Sequence, residues 1–558
     1  MSEPKYKHNA EELFARYNDL NGKAAVRKTE WQTMSYYTQF RNQNILTIKT
    51  GTFWNTTQVF DFTASAANLA LASGQLAYLC PSSEKWFAYI PRVRGGKVAD
   101  DDAVRWFNDV SDITREYLAA SNFYESVFES FIHRGGFGLS CLYVNETSKS
   151  PLNFKCIKMG TFLISENDEE RVDTVFREVE LTARVACQMF GYDELPEETR
   201  KQLDEAKLDE ISKYIHYVGP VEDDGMDKKF SECYFDMKTK KIVMESEYYE
   251  NPFIVSRFLK FDNDPYGYGP TQECMCAIKM CNKIAEDLII LGEKKARPPI
   301  LVPDSGAYDV DSQAGGKTLF DASNPNATPK EWQTQGDYEL GMKLLEAHRE
   351  LIQSAYYVPL FNSISDLDRS GITATEIIAR ENEKLNNFSP TFSRLTNEFF
   401  NPLLNRVFGL LFRAGKYPPP PPSVHGMPFE VSYQSKIALA LGAGQNQRFL
   451  QWVQAAAPVI QLDPTCIDAI DTTKAMKTMA RNWGIGNDFV RSDEEIEEVR
   501  AQRAKAQQAQ QQREGAQMLM ENADKLAKAA PMLQDALSHD TGAARLDTRT
   551  GQAKTPIL

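Results

Sequence analysis

Several stretches of the sequence set residue types at spacings that chemistry uses. In AGGKT, residues 314–318, a glycine pair precedes lysine and threonine, as in loops whose backbone N–H groups and lysine cradle a polyphosphate. The full pattern G-x-x-x-x-G-K-[ST] demands glycine where Asp311 stands, and no apolar strand leads in, so a turn fits better. In DNDPYGYGPTQE, residues 262–273, Asp262, Asp264, Gly267 and Glu273 fall at the first, third, sixth and twelfth places of a calcium loop. Tyr266 then occupies a ligand place that needs an oxygen on a short side chain, and a strand rather than a helix leads in. A turn into a helix is expected there, with calcium as the alternative. The acidic runs Asp100 to Asp102 and SENDEE, residues 165–170, hold the carboxylates that a Mg²⁺-dependent nuclease uses, although such runs are ordinarily solvated faces.

Cys274, Cys276 and Cys281 suggest a metal, but on one helix the first and last share a face while Cys276 points away, so buried thiols are expected. The segment RGGFGLS, residues 134–140, reads as a helix C-cap leading into a strand rather than as a ligand-binding glycine loop. The six histidines (8, 133, 216, 348, 425 and 539) are dispersed and form no HExxH or HxxH pair, and there is no GxSxG elbow. No catalytic residue, metal site or cofactor is assigned, and a structural role leads.

The elements that would carry such a role follow from the rest of the chain. With 558 residues, roughly three to four compact units are expected. Hydrophobic residues at 42% and aromatics at 11% are globular values. Nine scattered cysteines, an odd number, make no secreted disulfide framework, which favours a reducing interior. The polar start, MSEPKYKHNAEELFARYNDL, lacks a secretory signal. The longest uncharged run, between Asp61 and Glu84, contains Asn68, Gln75, Pro81 and four serines, too polar for lipid, so no membrane contact is expected. With 63 basic and 77 acidic residues the net charge is −14, which opposes tight, salt-releasing adhesion to nucleic acid but leaves room for DNA handled loosely.

Periodicity predicts an α+β chain. An amphipathic helix is expected over 104–133, stopped by Gly135 and Gly136. The runs GLSCLYV, LNFKCIK, TFLIS and TVFREVEL follow as strands, ARVACQMFG and PEETRKQLDEAK as helices, CYFDM and KIVMES as a hairpin, and FIVSRFLKF as a last strand. A helix over 269–297 ends at Pro298 and Pro299, and a second, marked by Leu340, Leu344, Leu351 and Ala355, closes at Pro359. A capping box, Thr373 with Glu376, opens a long helix to Phe412 that Pro390 and Pro402 should kink or restart. Five prolines, Pro418 to Pro422, read as a stiff spacer after which a new unit begins, with short helices over 430–490. From Ser492 to Leu537 the chain is a polar helix, with seven Gln and five Ala in 501–517, so it is either frayed or packed against copies of itself. The last twenty residues are expected to be disordered.

The segments FDFTASAANLALASGQLAYLCPSSEKWF (60–87), FLKFDNDPYGYGPTQE (258–273) and GITATEIIARENE (371–383), in this order, resemble the head-to-tail connector, or portal, family of short-tailed phages. The resemblance covers most of the chain. It implies a ring, usually a dodecamer, at one capsid vertex, through whose channel double-stranded DNA is packaged and ejected. Its implied partners are the terminase large subunit, scaffolding protein, major capsid protein and tail adaptor or tail tube proteins, with the host cytoplasm as the place of assembly. Carried onto this sequence, the portal fold implies a wing over 1–268, a first stem helix over 269–297, a clip over 298–336 and a second stem helix over 337–357. Residues 358–417 would be the tunnel loop and long wing helix, 418–491 the crown, and 492–558 a C-terminal barrel helix and tail. The tunnel loop, Pro359 to Ile372, implies Asn362, Ser363, Ser365, Asp366, Asp368, Arg369, Ser370 and Gly371 as the residues beside the channel. Two alternatives remain: a ring-forming virion adaptor or internal core protein without a DNA channel, and, less favoured, the Mg²⁺-dependent nuclease.

Overall fold

The computed structural model describes residues 7–39, 45, 59–92, 101–147, 149–221, 228–261, 264–298, 300–301, 330–331, 336–362, 388–424, 426–434, 452–456, 472–473, 475–476, 479 and 493–538. The AGGKT segment, Asp100, Asp262, the Thr373/Glu376 capping box and the last twenty residues lie outside them. The chain falls into two compact units, Met1–Ala469 with Asn482–Gly484, and Ile470–Arg481 with Ile485–Leu558.

In the first unit, helix α1 (Ala10–Thr38) starts at Asn9, whose side-chain oxygen accepts from the Glu11 N–H at 3.0 Å. Helix α2 (Thr63–Leu79) is led in by Asp61, which accepts from the Thr63 N–H, and strand β1 (Phe87–Pro91) follows. The single helix expected over 104–133 is two, α3 (Asp101–Ala120) and α4 (Phe123–Phe137). Asn122 breaks the ladder by bonding elsewhere, its amide donating to the Phe154 carbonyl at 2.7 Å and its oxygen accepting from the Phe154 N–H at 3.0 Å. Gly135 and Gly136 do not stop α4. They lie inside it because α2 passes so close that a Cβ at Gly135 would strike Asn68, and the helix closes at Gly138, in the left-handed conformation.

The strand-rich part runs β2 (Leu139–Asn145), β3 (Asn153–Cys156), β4 (Phe162–Glu166), β5 (Val172–Thr182), helices α5 (Ala183–Phe190) and α6 (Glu197–Asp204), then β6 (Ile211–Pro220), β7 (Phe230–Asp236), β8 (Ile242–Tyr248) and β9 (Phe253–Arg257). A three-stranded sheet has the order β3-β2-β9 and a five-stranded one the order β4-β5-β6-β7-β8, all pairs antiparallel. Strand β6, the central one, is absent from the periodicity. Helices α7 (Pro270–Glu273) and α8 (Met275–Ala296), the short antiparallel pair β10 (Ile300–Leu301) and β11 (Lys330–Glu331), and α9 (Tyr338–Ala355) come next.

The chain is helical again over 388–395, passes through a π turn at Thr396–Phe400, and continues as α10 (Asn401–Arg413). Pro402 has no N–H for the Glu398 carbonyl, and the widened turn just before it absorbs that missing bond. The proline run opens no new unit. Trp106 Nε1 donates to the Pro418 carbonyl at 3.0 Å, and β12 (Phe429–Tyr433), in a stretch expected to be helical, pairs antiparallel with β1. One apolar core gathers α2, α3, α4, the α8/α9 pair and α10; a second lies between α1 and the two sheets. In the second unit, α11 (Asp493–Ser538) is a helix of 46 residues. No helix among the described residues is long and apolar enough to cross a membrane.

Two buried histidines tie the sheets and helices to pH. His216 in β6 stacks on Tyr234 at 4.0 Å between ring centroids and donates from Nε2 to Glu232 Oε1 at 2.8 Å. The same carboxylate oxygen accepts from Tyr248, whose hydroxyl lies 3.1 Å from that of Tyr143 in the other sheet. Burial lowers the pKa of His216 and pushes that of His133, in α4, down to about 4. A depressed histidine leaves the folded state short of protons relative to the unfolded chain, so stability is present above the unfolded value of about 6.5 and falls as pH drops toward the folded value. His133 alone accounts for up to about 3 kcal/mol of this loss. Thermal melts between pH 7 and pH 4 should therefore fall more steeply for the unchanged chain than for His133→Gln; equal slopes would show that His133 does not carry the effect.

Candidate functional site

Helices α8 and α9 form an antiparallel hairpin. Ile278, Cys281, Ala285 and Leu288, at alternating steps of three and four, turn one stripe of α8 inward, and Leu345, Ile352 and Tyr356 answer from α9. At the base Thr271 Oγ1 lies 2.6 Å from the Tyr356 hydroxyl, and near the far end a Cβ on Gly341 would come within 2.6 Å of Leu288, so only glycine allows the helices to approach this closely. The segment before α2 braces the hairpin. Arg349 of α9 donates to Asp61 Oδ2 from Nε at 2.9 Å and from Nη2 at 2.8 Å, while the Phe60 N–H donates to Asn282 of α8 at 2.7 Å.

What the hairpin leaves outside is of two kinds. Lys279, Lys283, Lys294 and Lys295 of α8 are mixed with Glu286, Asp287 and Glu293, so no basic stripe forms. On α9, Leu340 (56% exposed), Leu344 (46%) and Leu351 (60%) recur on one flank, an apolar ridge left uncovered among the described residues.

The hairpin leads directly to the predicted channel segment. Helix α9 ends before Tyr357, whose φ of 57° is left-handed, and Pro359 sits in the next short helical turn rather than closing α9. Phe361 lies so tightly over Gly74 of α2 that no side chain fits there, and it stacks on Tyr78 at 6.2 Å. Asn362 is exposed; Ser363, Ser365, Asp366, Asp368, Arg369, Ser370 and Gly371 lie outside the described residues. The chain reappears at Phe388, whose ring meets Tyr357 edge-on at 5.3 Å and Phe361 at 5.8 Å. Both ends of the connection are thus held at one aromatic cluster.

Behind the cluster are two buried arginines. Arg134 donates from Nε to the Arg257 carbonyl at 3.3 Å and from Nη2 to the Thr391 carbonyl at 3.2 Å, with its guanidinium 4.8 Å from the Phe258 ring centroid. Burial pushes its pKa down to about 9, against the pull of Glu398. Arg257 holds the Glu398 carboxylate through Nη2 at 2.8 Å, and it also pairs with Glu166 and donates to the Glu170 carbonyl at 3.0 Å. Burial works against its charge, yet Glu398 and Glu166 raise its pKa overall.

These contacts decide the motif candidates. Glu166 and Glu170 of the SENDEE run are bound by Arg257 and Lys260, and Asn167 organises the intervening turn. Asp264 of the calcium-like loop is engaged by Arg27, and Tyr266 is buried edge-on against Trp31 at 5.3 Å, so this stretch is a turn into α7. Cys274 and Cys281 are buried and Cys276 is exposed, as the helix spacing requires. Among the described residues no three His, Cys, Asp or Glu converge as a metal site. The sequence did not reveal Tyr357, Gly74 or Arg134; Pro359 signalled a helix end nearby, but the end itself is made at Tyr357.

A family model described as bacteriophage head to tail connecting protein matches residues 10–490. The chain is 25% identical over 484 residues to a "Probable portal protein" of Bordetella phage BPP-1, covering 84% of this chain and 86% of that one. It is 23% identical over 514 residues to a "Portal protein" of Salmonella phage epsilon15, covering 90% and 92%. The chain belongs to the bacteriophage head-to-tail connecting proteins, the portal proteins of the virion.

Proposed function

We propose that copies of this chain close into a ring, in the manner of a dodecamer, at one capsid vertex, and that double-stranded DNA enters and leaves through its axis. The observation that carries the reading is the ridge of Leu340, Leu344 and Leu351 on a hairpin whose other flank is braced by Phe60 and Asp61. A head-to-tail ring needs a second, different face on the same subunit, and α8 offers one in its exposed Met280, Ile289 and Ile290. In this assignment 1–268 is the wing, α8 and α9 are stem helices, 298–336 is the clip, 358–417 the tunnel loop and wing helix, 418–491 the crown and 492–558 the barrel helix and tail. Asn362, Ser363, Ser365, Asp366, Asp368, Arg369, Ser370 and Gly371 border the channel. The mixed charges of α8 suit a passage that DNA must slide through without sticking. Partners of the ring are the terminase large subunit, scaffolding protein, major capsid protein and tail adaptor proteins, met in the host cytoplasm during assembly and then in the virion.

Light scattering should report a large closed assembly for the unchanged chain and its loss on Leu344→Glu with Leu351→Glu, because each places a charge in a contact that must exclude water. A monomer that stays stable across micromolar concentrations would overturn the ring. Truncation after Arg491 should leave the ring intact, since α11 belongs to a separate compact unit. Replacing 363–371 with a Gly-Ser link, which spares the packed Phe361, should leave assembly intact and impair retention of packaged DNA. Particles that hold full genomes normally with that link would exclude the channel assignment and favour an adaptor without a DNA channel.

A further inference from the structure

A bulky residue held at φ 57° needs a reason. Tyrosine in the left-handed region is strained by its Cβ, and such strain persists only where the surroundings over-determine it. At Tyr357 they do: its ring is fixed edge-on by Phe388 at 5.3 Å and faces Phe258 at 6.3 Å, its carbonyl accepts from the N–H groups of Leu360 and Phe361, and its own N–H donates to the Ser354 carbonyl at 3.0 Å. One turn further on, Phe361 is pinned between Gly74, Tyr78 and the same Phe388. On the returning side, Thr391, three residues after Phe388, is gripped through its carbonyl by Arg134, a fully buried side chain with no exposed function of its own.

We propose that Tyr357 and Phe388 are positioning residues: the left-handed Tyr357 turns the chain out of α9 in a fixed direction, and its ring contact with Phe388, backed by Phe361 and Arg134, holds the exit and the return of the connection at one point. The inference rests on the channel reading for its consequence, because a segment beside DNA keeps its place only if both its ends are fixed. A single stable base also explains why three aromatic rings and a glycine contact meet here rather than a polar turn, which would have served a loop without a task.

The test uses the full-length chain with Tyr357→Gly, Tyr357→Ala and Tyr357→Phe. At an ordinary position glycine lowers the melting temperature below alanine, through the freedom it gains in the unfolded chain. At Tyr357 the order should invert, with Tyr357→Gly melting about 1–2 °C above Tyr357→Ala because only glycine takes this φ without strain. The usual order would overturn the left-handed pivot. Tyr357→Phe keeps the ring but loses the hydroxyl's hydrogen bond with Thr391, so it should melt slightly below the unchanged chain while retaining DNA as the unchanged chain does. Phe388→Leu, which keeps bulk but removes the ring contact, should assemble into rings yet yield roughly two- to tenfold fewer DNA-filled particles, the loss of one or two aromatic contacts. Normal retention by Phe388→Leu, alongside a defect in the Gly-Ser link over 363–371, would reject the positioning role while leaving the channel standing. Normal retention by both would place the failure in the channel reading itself, and with it the role proposed for the clamp. Should the Tyr357 variants prove insoluble, the Phe388→Leu particles decide.

Discussion

A guanidinium taken out of water must be paired on every side, and Arg257 meets that demand by drawing together parts of the chain that are far apart in sequence. Its side chain is 3% exposed, and it sits at the end of β9, where the sheet meets the helices. Glu398 reaches it from the π turn, Glu166 from the end of β4, and the Glu170 carbonyl from the turn after β4. Lys260 adds a second cation at the Glu166 oxygen that Arg257 holds and also pairs with Glu170, and Arg394 adds one at Glu398 Oε1. Removing one member of such a buried group exposes the others to a desolvation penalty of about 3–5 kcal/mol. The arrangement of β9 against the helix that follows the 363–387 connection depends on it, and Arg134 extends the same grip through the Arg257 carbonyl to Thr391.

Much of the architecture was legible because local chemistry wrote it. The alternating strands from β2 to β5, the hairpin of β7 and β8, and the helices α5, α6, α8 and α9 all carry period or cap signals within their own residues, and the structure contains them. What could not be read was decided by partners far away. Strand β6 interrupts its apolar pattern with His216, a residue acceptable in a central strand because Glu232 of β7, diagonal to it across the strand pair, accepts a hydrogen bond from its Nε2. Gly135 and Gly136 punctuate the sequence as a stop, yet the close passage of α2 makes them helix interior. The proline run looks like a linker until Trp106 and β1 claim the residues on either side of it. At the site, the two helices were evident and the aromatic cluster was not. Tyr357, Phe361 and Phe388 are ordinary aromatic residues in sequence, and only Gly74 on another helix gives Phe361 its place.

The hairpin illustrates a division of labour between its faces. The inner stripe of α8 and α9 is close-packed, with Gly341 admitting Leu288, which makes the pair rigid. The outer surface carries the mixed charges of α8 together with its exposed Met280, Ile289 and Ile290, and the ridge of leucines on α9. Rigidity within the pair is what lets the ridge act as a defined surface rather than a patch that collapses onto its own chain.

The pairing of β1 with β12 has a consequence for how the protein is made. Phe87 and Tyr433 are register partners, 346 positions apart, and at ribosomal rates of roughly 5–20 residues per second the first strand waits some 20–70 s for the second. Throughout that interval Trp86, Phe87 and Tyr89, all destined for the core, flank an open strand edge. A nascent chain therefore passes through a long window in which its most aromatic edge is available to any neighbouring polypeptide. The late arrival of β12 closes that edge only when nearly all of the first unit has been synthesised.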